Sequence, residues 1–227
     1  MKALSVMVWT TFAVLSAPLL AQSDTGTRIG GKPAQLADRG SNEQRARGWL
    51  QGYDACVSKR YSKRVETLLD AGLDVSTPFS KIVDGTYDPC LSEGGTADEL
   101  LMSSRLLRGA LYADRVKRTT RRLDAAALPA ALLAFPSASA LDGDAKARVS
   151  LVRFGECVMR RDPGEALAFI RADAGNASET KSLARLVPAI SPCIDKGAQV
   201  RLSRSVLEAA LAEAIDRTLR LSVPAAK

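Results

Sequence analysis

Histidine is missing from all 227 residues. That removes the commonest general base, the commonest transition-metal ligand and the side chain that most often changes charge near neutral pH. Neither a Ser-His-Asp nor a Cys-His arrangement can be assembled from such a chain. Cysteine occurs only four times, and never as Cys-x-x-Cys, the close spacing that zinc knots and redox pairs use. Loops of the Gly-x-Gly-x-x-Gly or Gly-Lys-Ser/Thr kind, which cradle phosphates, are absent as well. Aromatic residues make up 5% of the chain and none interrupts the basic tract Lys117 to Arg122, so nucleic acid is not an expected partner. The reading is therefore no metal, no cofactor and no enzyme. A pair of carboxylates assembled from distant positions, as in some glycan-cleaving enzymes, is the catalytic alternative.

What is present begins at the N-terminus. Lys2 precedes an apolar run from Ala3 to Leu20, broken by Ser5, Thr10, Thr11, Ser16 and Pro18. A short cationic start, an apolar middle and small residues at the exit are the layout of a secretory signal. Residues 1–21 are expected to be that signal, cut after Ala21 or after Ser23. The rival reading, an uncleaved anchor, is disfavoured by Pro18 and by the lack of flanking charge. No cysteine stands near Ala21, so lipoprotein processing is not indicated. A periplasmic or secreted protein follows, with no transmembrane span after cleavage. Residues 22–41 are rich in Gly, Ser, Thr, Asp and Pro and poor in apolar residues; they are expected to be a disordered spacer.

Beyond the spacer the chain repeats itself. Tyr53-Asp54-Ala55-Cys56-Val57-Ser58-Lys59-Arg60 reappears as Phe154-Gly155-Glu156-Cys157-Val158-Met159-Arg160-Arg161. Each is an aromatic, two residues, a cysteine, a valine, one residue and two cations, and in this register Asp54 corresponds to Gly155. Cys90 and Cys193 follow, each after a proline and before an aliphatic, and each copy closes on a leucine- and alanine-rich segment, Leu107 to Val116 and Leu207 to Asp216. The expected fold is all-α: two tandem pseudo-repeats of three to four helices, residues 42–117 and 144–221, a connector at 118–143 and a tail at 222–227.

Helical spacing places Ala46, Leu50, Tyr53 and Val57 on one face of the first helix, and Ala147, Leu151, Phe154 and Val158 on its counterpart. Asp162-Pro163-Gly164-Glu165 reads as an N-cap, a proline at the first helical position and a first-turn acid. Asn176 or Ser178 is expected to cap a helix from Glu179 to Val187. In the first copy Gly72 is read as a C-cap, and Thr77 as the cap of a short helix from Pro78 to Val83. Thr96 with Glu99, and Ser205 with Glu208, read as capping boxes for the closing helices, each expected to be central to its copy. Within the connector, part of the mildly apolar stretch Leu128 to Phe135 is expected to pack as a short helix. Trp49 has Ser150 as its counterpart and reads as a filler of a core gap.

Four cysteines allow three pairings. Duplication favours Cys56–Cys90 and Cys157–Cys193, because a unit copied whole carries its own bridge, worth roughly 3–4 kcal/mol to each unit. The cations after the first cysteines are read chiefly as last-turn charges complementing the helix dipole. A sharper role, binding an anion, makes Arg60, Arg160 and Arg161 candidates, together with Arg118, Arg121 and Arg122 of the basic tract. The Cys157-Val-x-Arg-Arg-Asp-Pro163 opening, Pro192-Cys193-Ile194 and the run Leu207-x-x-Ala-Leu-Ala-Glu-Ala214 resemble a group of exported, duplicated proteins of sphingomonad-type alphaproteobacteria. The resemblance spans both copies, Arg45 to Arg220; the first copy departs from it in lacking the Asp-Pro turn. It implies a helical, disulfide-stapled periplasmic protein and imports no activity. The functional expectation is a non-catalytic interaction or structural protein, its partner an envelope protein or an anionic envelope surface.

Overall fold

The computed structural model describes residues 28–30, 39–73, 89–93, 99–101, 104–121, 128, 130–194 and 202–221. The signal segment, the tail, the helix expected at Pro78–Val83 and Thr96 lie outside them. Among the described residues eight helices carry the fold: α1 (Arg39–Arg60), α2 (Ser62–Asp70), α3 (Pro89–Glu93), α4 (Ser104–Thr119), α5 (Gly143–Arg161), α6 (Pro163–Arg171), α7 (Ala177–Ile190) and α8 (Arg204–Leu221). Two three-residue strands, β1 (Arg28–Gly30) and β2 (Glu99–Leu101), pair antiparallel with Ile29 opposite Leu100.

The local chemistry explains most of the boundaries. Asp162 Oδ1 accepts from the N–H of Glu165 at 3.0 Å and Pro163 opens α6, so that start is fixed by cap and ring together. Asn176 Oδ1 caps α7 through the N–H of Glu179 at 2.8 Å. That helix starts at Ala177 and runs through Pro188 to Ile190, past the expected end. Pro188 is exposed there, and the carbonyl it leaves unpaired can turn to water. α2 ends at Asp70 and Ala71 is extended (φ −59°, ψ 145°), so Gly72 is no left-handed cap. Its terminal carbonyls are satisfied instead by side chains from other helices, described below.

Two other starts differ from expectation. Glu99 lies in β2, and α4 begins at Ser104, because the Glu99-Leu100-Leu101 backbone is committed to β1. Both β1 and the start of α1 at Arg39 lie inside the stretch expected to be a spacer. At α8 the N-terminal oxygen comes from Ser203, whose Oγ accepts from Val206 N at 3.2 Å; Ser205 is already helical and Glu208 points to Arg47.

Bridges join Cys56 to Cys90 (Cα–Cα 5.7 Å) and Cys157 to Cys193 (Cα–Cα 5.8 Å). The first ties the end of α1 to α3, the second the end of α5 to a one-turn 3-10 segment, Ser191–Cys193, after α7. Both α2 and α6 are nine residues long, and each boundary of α6 lies 101 residues beyond that of α2. α1 and α5 end 101 residues apart, and α4 and α8 begin 100 apart.

α4 and α8 lie against one another at the centre, and small residues allow it. A Cβ on Gly109 would overlap Ala209 of α8, and one on Gly155 of α5 would overlap the Ala210 carbonyl. Buried side chains of both halves, among them Tyr53, Val57, Leu69, Leu111, Val158, Phe169, Leu186, Leu211 and Ile215, form one continuous core. The close seating of α5 rotates its buried face. Ala145, Arg148, Val149, Val152, Gly155, Glu156 and Met159 are inside together with the expected Val158, while the expected Ala147, Leu151 and Phe154 are only half-buried. In α1 the seam likewise takes in Arg47, Asp54 and Ser58 beside Leu50, Tyr53 and Val57.

Within the connector, residues 130–137 form a strap without regular secondary structure, not a helix. Leu133 N donates to Glu156 Oε1 at 2.9 Å, and Arg160 donates to the carbonyls of Ala130 and Ala131. Satisfying its backbone from the side chains of α5 removes the need for helical hydrogen bonds. Leu133 and Phe135 pack onto a small cluster of Leu73, Val149, Val152 and Ala214.

Candidate functional site

The chemistry of this molecule is concentrated where α4 and α8 meet the helices around them, in three groups of buried ions. In the first, Arg115 of α4 meets Asp216 of α8 as a fork, Nε to Oδ1 at 2.7 Å and Nη2 to Oδ2 at 2.5 Å. Its Nη1 reaches α2, at Glu66 (2.9 Å) and Asp70 (3.0 Å), so one guanidinium ties three helices. Burial opposes the Arg115 cation, but Asp216, Asp70 and Glu66 more than offset it and raise it above its ordinary value. Burial pushes the Asp216 carboxyl up, with Arg115 pulling it back.

The second group closes the end of α2. Tyr112 of α4 donates its hydroxyl to the Leu69 carbonyl at 2.6 Å. Arg148 of α5 donates to Gly72 O at 3.1 Å, and Arg217 of α8 to Ala71 O at 3.0 Å. Two cations thus stand at the negative end of a helix and donate to the carbonyls just beyond it. Glu213 balances them, accepting from Arg148 (2.6 Å) and Arg217 (3.0 Å). Burial and the Glu213 charge push the Tyr112 phenol up to about 12. Arg108 stands nearby, held below its usual value by burial and by Arg148.

The third group fastens α1. Arg47 donates to Glu208 of α8 at 3.0 Å and pairs with Glu179 of α7, whose carboxylate also accepts from Gly175 N at 2.8 Å. Burial pushes Glu179 up, but the hydrogen bonds from Arg47 and Gly175 and the charge of Arg204 outweigh it and lower it. Gly175, with φ 79°, gives the left-handed turn that presents this N–H. Gln51 Oε1 accepts from Ala174 N at 3.0 Å and adds a second tie to that turn. Further along α1, Asp54 is 3% exposed. Burial, then Asp114 and Glu208, push it well above the carboxylate range.

The residues singled out in the sequence fall apart from these groups. Arg160 pairs with Glu156 (2.9 Å) and donates to the strap carbonyls, so it fastens the connector. Arg118 is exposed but pairs with Asp114 at 2.9 Å. Arg60, Arg161 and Arg121 are exposed, and Arg122 lies outside the described residues. Trp49 is half-buried and stacks on Tyr53 at 5.2 Å, consistent with a packing role. Among the described residues no cluster of three or more His, Cys, Asp or Glu is placed to hold a metal ion, and no helix is long and apolar enough to cross a membrane.

Arg47 and Arg148, which anchor the third and second groups, escaped the sequence reading. Their signal was there: they stand 101 residues apart, each directly after the matched alanines Ala46 and Ala147. Compared with family models, with curated proteins and with solved structures, the chain matches none.

Proposed function

We propose that this protein is an exported, non-catalytic helical scaffold that works by binding another envelope component, and that it arose by doubling of one stapled unit. The observation that carries the reading is where its buried charge goes. Arg115, Arg148 and Arg47 each reach carboxylates on another helix, with Asp216, Glu213 and Glu179 closing the pairs. Asp54, Asp114 and Glu208 do gather carboxyl groups, but Asp54 is sealed among helices, where no substrate reaches it. Such a distribution fits a body whose interior maintains shape, leaving its surface for recognition.

Doubling is supported by the constant spacing of α2 with α6, by the matched positions of the two bridges, and by the meeting of Gly109 with Ala209. Those last two occupy corresponding places, 100 residues apart, as residues on a twofold axis between like units do. Two closed disulfides suit an oxidising compartment, and the apolar start of the chain supplies the route there. The likeness to exported proteins of sphingomonad-type bacteria points the same way.

Expression of the full chain in a Gram-negative host tests this reading. It predicts recovery outside the cytoplasm with the N-terminus at Gln22 or Asp24 and both bridges formed. Cytoplasmic recovery with Met1 intact would contradict it. A second reading, binding to an anionic envelope surface, draws on the exposed Arg118, Arg121 and Arg161. It predicts salt-dependent cosedimentation with phosphatidylglycerol vesicles, lost in R118E/R121E/R161E.

A further inference from the structure

Asp54 and Gly155 correspond, yet they do opposite things. Gly155 lets α5 rest directly on the backbone of α8 at Ala210. At the matching point of α1 the first half inserts a carboxyl. Facing it are Asp114 and Lys117 from α4 and Glu208 from α8. The neighbouring cations are largely committed: Arg118 to Asp114 at 2.9 Å, Arg47 to Glu208 and Glu179. Lys117 stands 3.9 Å from Glu208 and is shared between that carboxylate and Asp54. Arg47, Gln51, Asp54 and Ser58 form one stripe along α1 at helical spacing. On that stripe Arg47 Nε and Nη1, Gln51 Nε2 and Ser58 Oγ are buried with no hydrogen-bond partner in the protein. A helix seated through an incompletely satisfied polar stripe is held less firmly than one seated on glycine and alanine.

We propose that α1 is a pH-sensitive latch, seated on α4 and α8 while Asp54 keeps its proton and loosened when that proton leaves. Ionisation sets a third carboxylate beside Asp114 and Glu208 where water does not screen it. The new charge repels Glu208, and that repulsion slackens the Arg47–Glu208 tie that fixes the beginning of α1. The far end stays put, because Cys56 is bridged to Cys90. Movement is therefore confined to the N-terminal part, which carries Trp49 stacked on Tyr53. The sign follows from the direction of the shift. A carboxyl raised in the folded state contributes fully below the ordinary carboxylate range, and its contribution is lost as pH rises through the folded value.

The full chain with Trp9→Phe leaves Trp49 as its single tryptophan, since the sequence holds two. Its emission, followed from about pH 4 to pH 9 without denaturant, is expected to shift reversibly to longer wavelength. Amide exchange of residues 47–54 is expected to quicken beyond its intrinsic pH dependence, with α5 as the internal reference. Asp54→Asn should abolish both effects. Lys117→Met should move the transition to higher pH, because it removes the cation that favours the carboxylate. Flat emission across the range, or a transition that survives Asp54→Asn, overturns the proposal. If Asp54→Asn does not fold, Lys117→Met decides, and a transition at unchanged pH overturns it.

Discussion

Arg115→Met is expected to cost about 3–5 kcal/mol of folding stability, the usual result of removing one partner from a buried ion pair. The geometry sets where in that range it falls. Asp216 loses a two-pronged contact at 2.7 and 2.5 Å and remains buried, but keeps Arg220 Nε at 3.2 Å. Glu66 and Asp70 lose a partner too, yet they are partly solvated and share Arg220. The lower end, ~3 kcal/mol, is therefore expected, or a drop of about 6–12 °C in Tm at 2–4 °C per kcal/mol for a chain of this size. The loss also depends on pH. Burial already raises Asp216 and Arg115 restrains it, so without Arg115 the carboxyl is raised further. Its penalty is then smallest in acid and grows as pH rises through the folded value. Urea unfolding followed by circular dichroism at about pH 4 and pH 7 measures both effects. The double variant Arg115→Met/Asp216→Leu should recover part of the loss, because no unpaired charge remains. A single-variant cost below about 1 kcal/mol, or a double variant no better than the single, would refute the reasoning.

Further outcomes follow from the packing. Gly155→Ala must displace the Ala210 backbone and is expected to lose ~1–3 kcal/mol or more, whereas Gly52→Ala meets open space and should be neutral or slightly stabilising by thermal melt. Cys157→Ala/Cys193→Ala opens a bridge between residues 36 apart and should cost about 3–4 kcal/mol in urea titration. Tyr112→Phe strips the partner from the Leu69 carbonyl at the end of α2, an expected loss of ~1–3 kcal/mol with faster amide exchange in residues 62–73. Asp162→Ala removes the cap of α6 and should cost ~1 kcal/mol, by the same titration.

What the sequence revealed was local. Helix starts at Asp162 and Asn176 are written in side chains within three residues of the N–H they cap, and helical spacing needs no tertiary partner to be read. The alanines of α4 and α8 announce close approach by neighbouring helices, but not that these two helices meet one another. What stayed hidden depends on partners far along the chain. Arg47 meets Glu208 across 161 residues, Arg148 meets Glu213 across 65 and Arg115 meets Asp216 across 101. A charge beside an apolar stripe reads as solvated until its counterion is located. The turned face of α5 has a similar origin, since Gly155 carries no side chain to mark the seam yet determines it. Glu99 looked like half of a capping box because its strand partner, Arg28–Gly30, lies some seventy residues earlier in an apolar-poor stretch. The strap over residues 130–137 carries no local mark of its path, because its backbone partners are side chains of Glu156 and Arg160.

Each half of the chain carries its own covalent staple, Cys56–Cys90 in the first and Cys157–Cys193 in the second. Peptide mapping of the unreduced protein by mass spectrometry, compared with the reduced digest, tests that directly. The account predicts one linked pair containing Cys56 and Cys90 and another containing Cys157 and Cys193. A linked pair joining Cys56 or Cys90 to Cys157 or Cys193, or free thiols at all four positions, would contradict it.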